Sequence, residues 1–67
     1  MIEVTGNGPW RVTVIESERG WGQKIDEYRR FCSKEEAQKW VDAYNKQNDL
    51  PYVPDWYMYA QEPVYVP

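Results

Sequence analysis

The chain of 67 residues contains four tryptophans, six tyrosines and one phenylalanine, but no histidine and a single cysteine. This length allows one domain, residues 1–67; the lone cysteine excludes an internal disulfide, and the missing histidine excludes a zinc site built from Cys and His. The formal net charge of −3 argues against general nucleic-acid binding, which typically requires a basic surface. Because histidine is the commonest acid–base side chain, we expect a binding protein rather than an enzyme, with no catalytic residue, metal site or cofactor.

Localisation and self-association are predicted from what the sequence lacks. No apolar run approaches the roughly 20 residues that span a bilayer, and no signal-peptide pattern opens the chain. A lone cysteine, Cys32, is typical of a reducing compartment. We therefore expect a cytoplasmic protein that does not contact a membrane. A domain of about 60 residues has a marginal core, so we also expect dense aromatic packing and a homodimer or higher oligomer.

The amino-terminal half is predicted to form strands. Residues 2–5 are β-prone and are followed by a Gly-Asn-Gly-Pro turn. The side chains of residues 10–16 point alternately to two sides, and many of them are β-branched, which indicates a strand. A glycine-containing hairpin loop at residues 18–22 leads to a returning strand at residues 24–31. The apolar residues of this returning strand change parity near Tyr28, which indicates either a β-bulge or a face that is only half apolar.

The middle of the chain carries the clearest local signal, a helix start. Ser33 and Glu36 form a capping box, in which each side chain accepts a hydrogen bond from the backbone N–H of the other residue. An apolar stripe at helical spacing predicts a helix from about residue 34 to about residue 47. The stripe consists of Ala37, Trp40, Val41 and Tyr44. Asn48 is the expected carboxy-terminal cap, and Pro51 forbids continuation of the helix.

The carboxy-terminal third is predicted to add a strand to the same sheet. Residues 56–61 alternate, and residues 64–66 form either an edge strand or an extended tail between two prolines. The order β-β-α-β predicts an α+β fold, a small antiparallel sheet with one helix packed on one face. The other face would carry Ile15, Tyr57 and Tyr59, which are too apolar for an ordinary solvated surface.

Aromatic residues are the candidate partner-binding residues. They are Trp21, Tyr57, Tyr59 and Tyr65. Trp21 lies between two glycines in the predicted hairpin loop, where a displayed tryptophan is a typical binding anchor. Two of the tyrosines lie on the last predicted strand, and one helix cannot bury both faces of a sheet. The alternative is that these large side chains fill the core of a small domain.

Three arginines form a second candidate site. Arg11, Arg29 and Arg30 lie on strands predicted to be neighbours, so their guanidinium groups can converge on a phosphate or carboxylate. The alternative is ordinary cross-strand pairing with acidic residues of the same hairpin. If the arginines do converge, a small nucleotide-like ligand becomes the leading partner.

Two segments carry a resemblance to a known class of proteins. Residues 31–40 read Phe-Cys-Ser-Lys-Glu-Glu-Ala-Gln-Lys-Trp, and residues 54–60 read Pro-Asp-Trp-Tyr-Met-Tyr-Ala, with Asn45 between them. This pattern resembles small orphan proteins encoded by bacteriophages, in which a strand hairpin leads to a capped Glu-Glu-Ala helix and then to a strand with a Trp-Tyr pair. The resemblance covers about residues 10–62. It implies a protein that binds and inhibits a host factor, such as a defence protein, or that sequesters a nucleotide signal.

Three functions are therefore expected from the sequence. The first is a non-catalytic inhibitor that binds a host protein in the host cytoplasm through its aromatic surface. The second is an oligomer that holds a small nucleotide-like ligand between its protomers. The third is a structural subunit of a larger assembly.

Overall fold

A five-stranded sheet and one α-helix make up the fold in the computed structural model, which describes residues 2–67. The strands are β1 (Glu3–Thr5), β2 (Trp10–Glu18), β3 (Gly22–Phe31), β4 (Trp56–Ala60) and β5 (Val64–Tyr65), and helix α1 (Lys34–Asn45) continues into a 3-10 turn (Lys46–Asn48). The strand order is β1-β3-β2-β4, and β5 pairs with the other end of β2. The predicted α+β class is confirmed.

The sheet is mixed, so the prediction of a purely antiparallel sheet is wrong. β1 pairs with β3 in parallel, whereas β2 pairs antiparallel with β3, β4 and β5. The reason lies in residues 6–9, which carry the chain across the end of β3 instead of folding β1 back on β2. Gly8 is buried at this crossing, where an added Cβ would overlap the carbonyl oxygen of Phe31 and the amide nitrogen of Cys32. Glycine is therefore required by the close approach of two backbones.

A β-bulge interrupts the long hairpin formed by β2 and β3. The pairing steps from Val14 opposite Glu27 to Ile15 opposite Ile25, which leaves Asp26 as the additional residue of β3. The bulge thus lies two residues before Tyr28, close to the parity change, which did not specify the residue. Because one additional residue reverses the alternation of a strand, Ile25 and Tyr28 lie on the same face of the sheet.

The helix begins where the capping signal predicts. Ser33 Oγ accepts a hydrogen bond from the backbone N–H of Glu36 at 3.2 Å, and the helix starts at Lys34. Its end differs from the prediction, because the chain tightens into the 3-10 turn after Asn45. Asn48 lies in that turn and donates from its side-chain amide to the carbonyl oxygen of Met58 at 2.8 Å instead of capping the helix.

Small side chains form the centre of the core between α1 and the sheet. The buried cluster consists of Val12, Ala37, Val41 and Ala60, and it is surrounded by Trp10, Phe31, Trp40 and Tyr44. Trp40 stacks on Tyr44 with ring centroids 4.8 Å apart and lies 5.9 Å from Phe31. Aromatic rings thus close the sides of a core that is too small to bury them completely.

Two asparagines attach the end of the helix to the outer edge of β4. Asn45 donates to the carbonyl oxygen of Ala60 at 2.9 Å and accepts from the N–H of the same residue at 2.7 Å. Asn48 makes one hydrogen bond to β4, donating to the carbonyl oxygen of Met58. Unpaired strand edges invite pairing with other chains, and here side chains satisfy the backbone groups of the edge.

Candidate functional site

The face of the sheet opposite α1, referred to below as the open face, is the candidate site. Residues that pair directly on neighbouring strands share a face, so the register defines its members. They are Val4, Arg11, Thr13, Ile15, Ser17, Gln23, Ile25, Tyr28, Arg30, Tyr57, Tyr59 and Val64. α1 is the single α-helix within residues 2–67, and it packs on the other face, the helix side.

Two tyrosines lie together at one end of the open face. The ring centroids of Tyr57 and Tyr59 are 6.0 Å apart, with the planes inclined by 32°. The Tyr59 hydroxyl bonds Gln23 Oε1 at 3.2 Å across the sheet. Ile15, which pairs directly with Tyr59, is only 6% exposed although no helix covers it. The tyrosines therefore form an aromatic surface beside a buried aliphatic side chain.

Two arginines lie together at the other end of the open face. Arg11 and Arg30 pair directly across β2 and β3. Arg30 donates from Nε to the carbonyl oxygen of Gly8 at 2.6 Å and from Nη2 to that of Val66. The Arg11 guanidinium lies 4.8 Å from the centroid of the Tyr28 ring, a cation–π contact.

The third predicted arginine lies on the helix side. Arg29 donates from Nε to Glu27 Oε1 at 2.9 Å, and its guanidinium lies 4.8 Å from the Trp40 ring centroid. Adjacent residues of a strand point to opposite faces, so Arg29 cannot join its neighbour Arg30. The structure brings Arg11 and Arg30 together and separates Arg29 from them.

The other two predicted aromatic residues lie away from the tyrosine pair. Trp21 is 84% exposed at the tip of the hairpin, beside a shallow cavity of about 230 Å³ that is also lined by Glu16 and Lys24. Tyr65 pairs with Trp10, and their rings meet edge to face with centroids 5.2 Å apart on the helix side. The four predicted partner-binding residues thus occupy three separate places.

Charge is divided unequally between the two faces. The strand residues that the register places on the open face include two arginines and no Asp or Glu. The acidic strand residues of the helix side are Glu3, Glu16, Glu18 and Glu27. Lys24 donates a hydrogen bond to Glu16 at 3.1 Å, which lowers the pKa of Glu16 and raises that of Lys24.

Gln23, Ile25 and Tyr28 are among the members of the site that sequence reasoning missed. The missing information was the position of the bulge, because placing it at Asp26 puts Ile25 and Tyr28 beside Ile15 and Arg11. Gln23 carried no signal of its own, since its role depends on the cross-strand position of Tyr59.

The open face offers a surface for binding and few groups that are typical of catalysis. Within residues 2–67, no group of three or more Cys, Asp or Glu side chains is placed to hold a metal ion. In the same part of the chain, no helix has both the length and the apolar character needed to cross a membrane. Comparisons of the chain with protein-family models, with curated proteins and with solved structures found no match. A function must therefore be inferred from the open face itself.

Proposed function

We propose that this protein is a non-catalytic binding protein that contacts a partner protein through the open face. The observation that supports this proposal is the tyrosine pair beside Ile15, on a sheet face that α1 does not cover. Tyrosine provides a large contact area with only two rotatable side-chain bonds, so little conformational entropy is lost on binding. Aromatic residues also dominate the small set of residues that supply most interface energy.

We further propose that the partner is a host protein and that binding inhibits it. The support is the resemblance of residues 10–62 to small bacteriophage proteins; where an activity of such a protein is known, it is often binding and inhibition of a host factor. An inhibitor of this kind needs no catalytic group, since covering a functional surface of the host protein is sufficient. Trp21, exposed at the hairpin tip, is a further candidate contact residue outside the open face.

The experiment is affinity capture from a bacterial cell lysate, quantified by mass spectrometry, with matched tyrosine variants. We expect the wild-type protein to enrich one host protein, and we expect the double variant Tyr57→Ala/Tyr59→Ala to lose it. Truncation of an interface tyrosine that carries binding energy costs about 2 kcal/mol, which corresponds to roughly a 30-fold loss of affinity.

Tyr65→Ala is the control, because Tyr65 is a half-exposed tyrosine on the helix side. It should retain the captured protein, and circular dichroism should show that all variants are folded. Retention of the same protein by the double variant, or its equal loss in Tyr65→Ala, would contradict binding through the open face. A single captured protein in a 1:1 ratio would also exclude a purely structural subunit.

A second candidate function is binding of a small nucleotide-like ligand by an oligomer. It is favoured by Arg11, which lies on an aromatic ring and has no carboxylate within salt-bridge distance among residues 2–67. Native mass spectrometry of protein purified from cells tests this candidate, because it measures the oligomeric state and any retained ligand together. A symmetric oligomer with a nucleotide-sized adduct would favour it over protein binding, and a bare monomer would contradict it.

A further inference from the structure

We propose that Arg11 and Arg30 form an anion-binding subsite of the open face that receives a carboxylate from an acidic partner protein. This inference rests on the proposed function, because it assigns a chemistry to the partner of the same face. It differs from the nucleotide candidate in its ligand, which is a side chain of a protein and not a free phosphate compound.

The first support is that the charges of the pair are not neutralised. Directly paired residues of antiparallel strands have Cβ atoms about 5 Å apart, and like charges at such positions are destabilising. The salt bridges within residues 2–67 join Arg19 to Asp55, Lys24 to Glu16 and Arg29 to Glu27. Arg11 and Arg30 take part in none of them, so a carboxylate bound at this end of the open face would offset the positive charge of the pair.

The second support is a hydrogen-bond donor without a partner. Arg11 Nε is buried and donates to no acceptor among residues 2–67. A buried donor left in this state destabilises the conformation that buries it. The contact with Tyr28 therefore holds Arg11 in a position that is not optimal for its Nε. Outward movement to a carboxylate would gain a charge-assisted hydrogen bond.

Arg30 is already held in place for this role. Its Nε and Nη2 atoms donate to the backbone carbonyls of Gly8 and Val66. Carbonyl oxygens carry no net charge, so these bonds fix the direction of the side chain without neutralising it. The remaining Nη1 group of Arg30 and the guanidinium of Arg11 together present the positive charge of the subsite.

The third support is the charge of the whole molecule. The formal net charge is −3, yet the strand residues of the open face carry two arginines and no carboxylate. On the helix side, Lys24 and Arg29 are paired with Glu16 and Glu27, so the positive charge available to an acidic partner lies on the open face. Charge complementarity of this kind selects the orientation of binding and increases the association rate.

The size of the face favours a protein as the source of the carboxylate. Arg11 and Ile15, the residue paired with Tyr59, are four positions apart on β2, or about 14 Å at roughly 3.4 Å per residue. A standard interface covers about 800 Å² on each partner, equivalent to a disc of roughly 16 Å radius. One protein surface therefore reaches the arginines and the tyrosines together, whereas a small ligand does not.

The test uses two probes whose chemistry is known, an acetylated and amidated tetraglutamate peptide and inorganic phosphate. Each is titrated into the isotope-labelled protein at low salt and followed by NMR. We expect the peptide to shift the signals of Arg11, Arg30 and Tyr28, with an affinity that falls as salt is added. Arg11→Gln should weaken the peptide at least five-fold, and Arg11→Lys should weaken it less, since it retains the charge.

Arg19→Gln is the matched control, because Arg19 is an exposed arginine that pairs with Asp55 at the hairpin end. It should leave peptide affinity within two-fold of the wild type. Absence of any peptide shift, or equal binding by Arg11→Gln, would overturn the subsite. Phosphate binding at the same residues without peptide binding would overturn the assignment to a carboxylate. The peptide experiment needs no partner protein, so its failure is distinguishable from failure of the tyrosine variants in the capture experiment.

Discussion

Replacement of Gly8 by alanine tests the crossing of the amino-terminal segment over the end of β3. Gly8 is buried, and a methyl group at its Cα would overlap the carbonyl oxygen of Phe31 and the amide nitrogen of Cys32. These are backbone atoms of a strand end, so neither can rotate away as a flexible side chain would. The segment that joins β1 to β2 must therefore move away from the end of β3.

The expected magnitude follows from the kind of overlap. Forcing additional atoms into a packed site costs about 1–3 kcal/mol and sometimes more. Overlap with a whole peptide group places Gly8→Ala at about 3 kcal/mol or above. A domain of this length has a total stability of roughly 3–10 kcal/mol. Since 1 kcal/mol changes the Tm of such a domain by about 4–8 °C, we expect a decrease of at least about 12 °C.

Two variants separate steric overlap from other effects of alanine. Gly20 has a φ of +84° but no heavy atom within 4 Å of an added Cβ, so Gly20→Ala should cost only about 1–2 kcal/mol for the left-handed conformation. Asn7 is exposed in the same turn as Gly8, and Asn7→Ala should change the Tm by less than about 4 °C.

The assay is thermal and urea denaturation followed by circular dichroism. If Gly8→Ala is unfolded at 25 °C, urea titration at lower temperature still ranks the three variants. A Tm for Gly8→Ala equal to or above that of Gly20→Ala would refute the steric argument and with it the close crossing.

Three further predictions concern the helix side and its edge. Asn45→Ala leaves the N–H and carbonyl of Ala60 without partners, so we expect a loss of about 2–4 kcal/mol and faster hydrogen exchange at the Ala60 amide; unchanged exchange would contradict the edge contact. The hydrogen bond from Lys24 lowers the pKa of Glu16 below its ordinary 4.5. The stability that this ion pair contributes is therefore present above pH 4.5 and is lost as the pH falls through the lowered pKa. Glu16→Gln should show a weaker decline in its urea midpoint over this acidic range, and an identical decline would disprove the coupling. Burial raises the pKa of Tyr44 above its ordinary 10.0. The stability that the neutral hydroxyl contributes is therefore fully present below pH 10 and is lost as the pH rises through the raised pKa. Tyr44→Phe should retain more of its Tm under these alkaline conditions than the wild type, and absorbance at 295 nm should show one tyrosine fewer titrating late.

Local signals predicted most of the elements. The alternation of residues 10–16 indicates β2, although the strand continues two residues further to Glu18. The serine cap places the start of α1 at Lys34, because a side-chain acceptor for an amide near the helix start is available from the sequence alone. Both signals depend on residues close together in the chain, which is why the sequence reveals them.

Pairing between distant segments was not predictable in the same way. β1 has only three residues and no pattern that distinguishes β2 from β3 as its neighbour. The choice depends on the crossing at residues 6–9, where two backbones from separate parts of the chain meet. The mixed sheet is therefore a property of tertiary packing.

The composition of the candidate site shows the same division. Tyr57 and Tyr59 were predicted as neighbours on one face, because their spacing of two is a local property of any strand. By contrast, the sequence did not show that Arg11 and Arg30 share the open face while Arg29 lies on the helix side, because this depends on the strand register. Tertiary structure also assigned Arg30 to the carbonyls of Gly8 and Val66, two residues at opposite ends of the chain.

The α+β class, the start of the helix and an aromatic surplus that one small core cannot bury are therefore readable from the chain. Which residues share the open face depends on how the strands pair. A strand alternates with a period of two, so a single additional residue such as Asp26 reverses the face of everything beyond it. The energy that selects the position of this bulge comes from cross-strand contacts, and these exist only after the chain has folded.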